Sequence, residues 1–152
     1  MEAFMEELTA RVEKTIHAPI SEVWEALMDT KKLKKFFFGA DIETDWKVGS
    51  EIKMRGQFKG KPYEDKGAVL IDEPMHILSF SHFSPLLGQP DEPENYHVVT
   101  IVLDPESDQE THVELMQSNL TGGVRDSDVK NKAEYEKNWN QVLDGLEKLV
   151  KH

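Results

Sequence analysis

Hydrophobic and polar residues alternate with a period of two through most of this chain, and the period lengthens to helical spacing only near the start and at the end. Leu8, Ala10, Val12 and Ile16 alternate with Thr9, Arg11, Glu13 and Thr15, which predicts a half-buried first strand. Pro19 ends it, because the residue before a proline prefers extended geometry. Ser21 is then expected to cap a helix that carries Val23, Trp24, Leu27 and Met28 on one face. Thr30 is expected to cap a second short helical turn over residues 31–35, which Phe36, Phe37 and Phe38 close and Gly39 breaks.

Trp46, Val48 and Gly49 lead into a clean alternation. Ile52, Met54, Gly56 and Phe58 share one face, and Glu51, Lys53, Arg55 and Gln57 the other. The Lys59-Gly60-Lys61-Pro62 turn predicts a hairpin to a strand over residues 63–71, followed by a turn at Asp72-Glu73-Pro74. Leu78, Phe80 and His82 share a face of the next strand. Residues 84–95, with three prolines and a glycine among acidic residues, read as a loop over an opening. Val99, Ile101 and Leu103 alternate in one strand and Val113, Leu115 and Gln117 in the next, with residues 104–110 as a polar hairpin turn. Ser127 is expected to cap the last helix, with Asp128 at its positive end. Tyr135, Trp139, Val142, Leu143, Leu146, Leu149 and Val150 follow the 3.6-residue period there. This order predicts an α+β fold: a curved antiparallel sheet wrapped around a long C-terminal helix, two short helices after the first strand, and an interior space between sheet and helix.

Length and composition narrow the picture. A chain of 152 residues, 38% hydrophobic, is expected to form one domain spanning 1–152. No apolar run approaches the roughly 20 residues of a membrane helix. The start, MEAFMEEL, lacks the basic and apolar regions of a secretory signal, so a cytoplasmic location is expected. Zero cysteines exclude disulfides, thiol catalysis and thiolate zinc sites. A net charge of −11 weighs against nucleic acid as a partner. Lys31, Lys32, Lys34 and Lys35 form a basic cluster that reads as a solvated helix face or as a docking patch for an acidic partner.

The candidate chemistry is a binding pocket. Phe36, Phe37, Phe38, Trp46, Met54, Phe58, Phe80, Trp139 and Leu143 are candidates to line it, against the alternative that each simply packs the core. His82, Tyr63 and Gln117 are the candidates for orienting a ligand, and His97 is placed at the cavity mouth. His112 and Glu114 should face solvent, and Glu51, Arg55 and Asp65 read as strand charges. The histidines and carboxylates show no metal-ligand spacing, Gly122-Gly123 lacks the context of a phosphate loop, and no Gly-x-Ser-x-Gly elbow occurs. No metal or cofactor is expected.

Ala18-Pro19 followed by Val23-Trp24, the aromatics at 36–38, Trp46-Lys47-Val48-Gly49, and Trp139 with Leu143 and Leu146 together resemble the START-like (helix-grip) superfamily. Within it they resemble the group related to the C-terminal domain of the Hsp90 ATPase activator. The resemblance covers nearly the whole chain in order. It implies a six- or seven-stranded antiparallel sheet gripping the last helix, with a cavity between them. Members bind lipids, polyketides, plant hormones and flavonoid-like molecules, and some are cyclases or dehydratases. The full activator has a further N-terminal domain, for which this chain is expected to have no room. His82 stands where many relatives carry tryptophan, a departure expected to alter the polarity of the pocket. The resulting expectation is a non-enzymatic protein that binds a small hydrophobic molecule. The alternatives are a chaperone-docking module, whose cue is the lysine cluster beside exposed aromatics at 36–38, and a cyclase or dehydratase using His82 or His97.

Overall fold

A computed structural model describes residues 7–151; the first six residues, on which the reading of the N-terminus as no secretory signal rests, lie outside it. Seven strands are present: β1 (Leu8–Ile16), β2 (Asp41–Glu43), β3 (Glu51–Phe58), β4 (Lys61–Glu73), β5 (Ile77–His82), β6 (His97–Ser107) and β7 (Glu110–Asn119). They form one antiparallel sheet in the order β1-β7-β6-β5-β4-β3-β2. Two short helices, α1 (Ile20–Met28) and α2 (Thr30–Phe36), cross between the edge strands, and α3 (Asp126–Val150) ends the fold. The architecture is therefore the α+β helix grip that the alternation predicts.

Local chemistry shifts several boundaries. Pro19 itself is the N-cap of α1, so Ser21 lies inside the first turn instead of capping it. Asp29, not Thr30, caps α2: its Oδ1 accepts from the Lys31 and Lys32 amides at 2.9 and 3.4 Å. A carboxylate beside the positive end of a helix outcompetes a hydroxyl one residue later. At α3 the cap is likewise earlier than Ser127, because Asp128 Oδ2 accepts from the Arg125 amide at 2.9 Å. Between β6 and β7 the ladder runs out to Ser107 opposite Glu110, so the hairpin turn expected over 104–110 is present but tighter, at residues 108 and 109. Pro105 is accommodated where the register shifts. Asp72 and Glu73 pair with Leu78 and Ile77 within the sheet, and the turn lies at Pro74–His76 with Met75 at φ 61°. Lys59 and Gly60 both have positive φ, 51° and 79°, as the two-residue hairpin turn requires.

The core lies on the concave face. Ile16, Ile52, Leu78, Leu103, Val113 and Leu115 meet Val23 and Leu27 from α1, Leu33 and Phe36 from α2, and Val142, Leu143 and Leu146 from α3. Gly145 is the point where α3 crosses α2, and a Cβ there would sit 2.8 Å from that of Phe36. Arg11 and Lys14 on β1 tie the helix to the sheet edge through Glu136 and Asp144. Close packing is thus confined to the C-terminal half of α3. Its N-terminal half carries half-buried Tyr135, Asn138 and Trp139 over a space.

Candidate functional site

That space is a cavity of about 290 Å³ between the open end of the sheet and the first half of α3. Its floor is built by the period-two alternation of the central strands, which puts Phe80 and His82, His97 and Val99, and Gln117 on one face. Met54, Tyr63 and Asp65 from the β3–β4 hairpin close one side. Phe37, Phe38 and Ala40 after α2 close another, and Ser84 and Leu87 stand at the margin from the 84–95 loop.

The apolar wall is an aromatic cluster centred on Phe37, whose ring lies 5.3 Å from Phe38, 5.8 Å from Trp139 and 6.3 Å from Phe80, centroid to centroid. Tilted and edge arrangements at these separations are the favoured ones for aromatic pairs. Phe38 is 53% exposed and holds φ at 58°, a conformation L residues rarely adopt, so it forms the rim. Trp139 is fixed from beneath, its indole Nε1 donating to Gln117 Oε1 at 2.8 Å, while Gln117 Nε2 donates to Thr9 Oγ1 at 2.9 Å. Gln117 therefore orients Trp139, with both of its polar atoms engaged within the fold.

Of the sequence-predicted residues, Phe37, Phe38, Met54, Tyr63, Phe80, His82, Gln117 and Trp139 converge on this cavity. Phe36, Trp46, Phe58 and Leu143 do not line it. Phe36 is held under Gly145, and Leu143 is 1% exposed in the packed core. Trp46 donates from Nε1 to the Met28 carbonyl at 2.9 Å, satisfying an acceptor that the end of α1 leaves open. Phe58 is 57% exposed at the hairpin tip, where the strand has run past the helices that would cover it. Phe36 and Phe37 are also too buried to belong to an exposed docking patch. Lys32 and Lys34 of the basic cluster pair with Glu25 and Asp41.

The polar end of the cavity holds two histidines facing each other across the β5–β6 ladder, His82 opposite His97. His82 Nε2 lies 2.8 Å from Asp65 Oδ2. His97 Nε2 lies 3.9 Å from Asp128, a buried carboxylate that also accepts from Asn119 and the Arg125 amide. Burial holds the His97 imidazole below its ordinary pKa; Asp128 opposes this and the charges on His82 and Arg125 add to it. Burial, with the charge of Asp65 second, pushes the Tyr63 phenol up.

Sequence reasoning treated Asp65 only as a strand charge. The signal that places it inward is the two-residue turn at Lys59-Gly60: it sets Phe58 against Lys61, hence Met54 against Asp65, and directly opposed residues share a face. Ser84, Leu87, Tyr135 and Asn138 reach the cavity through loop and helix placement that the alternation does not encode. Among the described residues, no group of three or more histidines, cysteines or carboxylates could hold a metal ion. No helix of the described residues is long and apolar enough to cross a membrane.

The depressed His97 value has a consequence for stability. Below about pH 6.5 the unfolded chain takes up a proton that the folded chain resists, so this residue's contribution is complete above that pH and is lost as pH falls through the lower folded value. His97→Gln is expected to lessen the fall in the urea midpoint between pH 7.5 and 5.5. An unchanged fall would show that His97 titrates alike in both states.

The family model described as activator of Hsp90 ATPase homolog 1-like protein matches residues 17–151. The solution structure of ChR145 from Cytophaga hutchinsonii is 47% identical, covers 91% of this chain and 90% of its own, and superposes with a TM-score of 0.74. Two more distant structures share the fold. One is MLL2253 from Mesorhizobium loti, at 23% identity, 91% and 93% coverage and a TM-score of 0.70. The other is the Aha1 dimer from Colwellia psychrerythraea, at 22%, 93% and 95%, and 0.69. No match is found among curated proteins.

Proposed function

This chain belongs to the activator of Hsp90 ATPase homolog 1-like family of the START-like superfamily, and on that premise we propose that it acts as a single-domain binding module, taking a small aromatic, flavonoid-like or lipid-like molecule between sheet and α3. The observation that carries this reading is the 290 Å³ cavity bounded by Phe37, Phe38, Phe80 and Trp139 with a few polar groups at one end, the composition that small-molecule sites favour. The cavity's mainly aromatic and aliphatic lining, more than its size, supports an occupant that buries apolar surface there.

A ligand screen by thermal shift against flavonoids, sterols and aromatic alcohols tests it, with Val99→Phe as the control. Val99 lies between Phe80 and Gln117 on the cavity floor and is 1% exposed, so the larger ring projects into the space. The substitution is expected to lower ligand affinity at least tenfold at a stability change within about 3 kcal/mol. Undiminished binding to the variant would move the ligand elsewhere.

The family relation also supports the alternative of an Hsp90-activator-like docking module. Reversal of Lys32 and Lys34 to glutamate separates the two readings. Lost chaperone binding with ligand binding intact favours docking; the cavity reading expects neither property to depend on these lysines.

A further inference from the structure

Asp65 is out of balance with its surroundings. The residue is 9% exposed, one carboxylate oxygen engages His82, and the other, Oδ1, is buried with no hydrogen-bond partner among the described residues. An ionised carboxylate has capacity for about four hydrogen bonds, and each buried polar group left unpaired is destabilising. Asp65 stands in the cavity wall with Tyr63, His82 and Ser84, in a lining that also holds the aromatic cluster. Its strand neighbours are no substitute: Glu64 pairs outward with Arg55, and Lys66 with Asp91. The side-chain χ2 torsion of aspartate is broad and turns both carboxylate oxygens together, so bringing Oδ1 toward the cavity re-aims the contact to His82 as well.

Resting on the cavity reading above, we propose that Asp65, held by His82, is the receptor for a hydroxyl group on an aromatic ligand. The ring lies against Phe37, Phe80 and Trp139, and its hydroxyl donates a hydrogen bond to the Asp65 carboxylate. This selects a chemical class. Apolar contact rewards any aromatic ring system of the same size alike, and the loss of translational freedom consumes most of that gain. Discrimination therefore falls to the polar anchor. A hydrogen bond to an ionised acceptor is about twice as strong as a neutral one, whereas a ligand carboxylate would meet like charge in a poorly solvated site. The ligand is thus a phenol or aromatic alcohol, and an aromatic or fatty acid is disfavoured.

Three probes of matched shape decide this: 2-naphthol, 2-methylnaphthalene and 2-naphthoate, titrated into the full chain and followed by amide chemical shifts. The proposal expects 2-naphthol to bind about tenfold more tightly than 2-methylnaphthalene, and 2-naphthoate to bind least. In Asp65→Asn, whose amide oxygen is only a neutral acceptor, the tenfold preference for hydroxyl over methyl should fall to about threefold, with 2-methylnaphthalene binding retained. Should that variant fail to fold, the preference in the unaltered chain decides, together with cavity-lining shifts that differ between the hydroxyl and methyl probes at Asp65 and His82. Equal binding of 2-naphthol and 2-methylnaphthalene overturns the assignment and leaves the cavity reading standing, as does a hydroxyl preference that is undiminished in Asp65→Asn. Binding of none of the three overturns the cavity reading and this assignment with it.

Discussion

Gly67→Ala is expected to destabilise the fold by about 3 kcal/mol or more, although Gly67 lies within a strand and contributes no side chain to the core. A Cβ at this position would overlap the Ser81 carbonyl oxygen and crowd the next peptide bond. The obstacle is backbone, which cannot swing aside like the end of a side chain. Gly67 pairs with Ile52 on β3, while its neighbours bond to β5 and the residue just after it: the Ala68 amide donates to Ser81 Oγ at 3.0 Å, and Lys66 bridges Phe83. The glycine is therefore where β4, shared between two ladders, comes closest to β5, a recurrent use of glycine in strands. Urea denaturation of the variant measures the effect. A loss below about 0.5 kcal/mol, the range of an ordinary surface change, would refute the close approach. Because β4 also carries Tyr63 and Asp65 into the cavity, the variant should lose ligand binding as well.

Leu143→Ala should have a comparable effect on stability and the opposite consequence for the site. Leu143 is 1% exposed among the residues that lock α3 onto the sheet. Truncating a buried leucine leaves a hole the neighbours only partly fill, which costs about 2–5 kcal/mol. Since Leu143 lies outside the cavity lining, the folded variant should bind 2-naphthol with unchanged affinity at temperatures well below its melting point. Unfolding midpoints and a titration at low temperature check both halves. A variant that is stable yet fails to bind would return Leu143 to the site and shift the cavity toward the C-terminal end of the helix.

The two leucine and glycine cases mark where the sequence is legible. Period-two alternation in Leu78-Phe80-His82, in Val99-Ile101-Leu103 and in Val113-Leu115-Gln117 correctly gives the inward face of three neighbouring strands. It does so because strand side chains alternate strictly between faces and one face is apolar. The same rule gave no means of telling Leu143 from Trp139, since both lie on the apolar stripe of one helix. One half of that helix meets α2 and the sheet, and the other spans the cavity. Nor did it separate Trp46, whose indole serves the end of α1, from Trp139, whose indole is held by Gln117. Phe58 kept its phase but lost its cover, because the β3–β4 hairpin extends beyond the helices.

The sequence by itself determined the order of the helices and the six longer strands, the inward phase of those strands other than β4, and the position of the two-residue hairpin turn, while the short β2 carried no signal of its own. These follow from side-chain periodicity and from the backbone preferences of glycine and proline, which act over a few residues. Only the tertiary structure decided which apolar residues enclose space and which fill it, that Gly67 and Gly145 are points of close approach, and that Asp65 meets His82 with one oxygen unpartnered among the described residues. Those outcomes depend on distances between segments far apart in the chain, which packing and helix placement fix and no local pattern encodes.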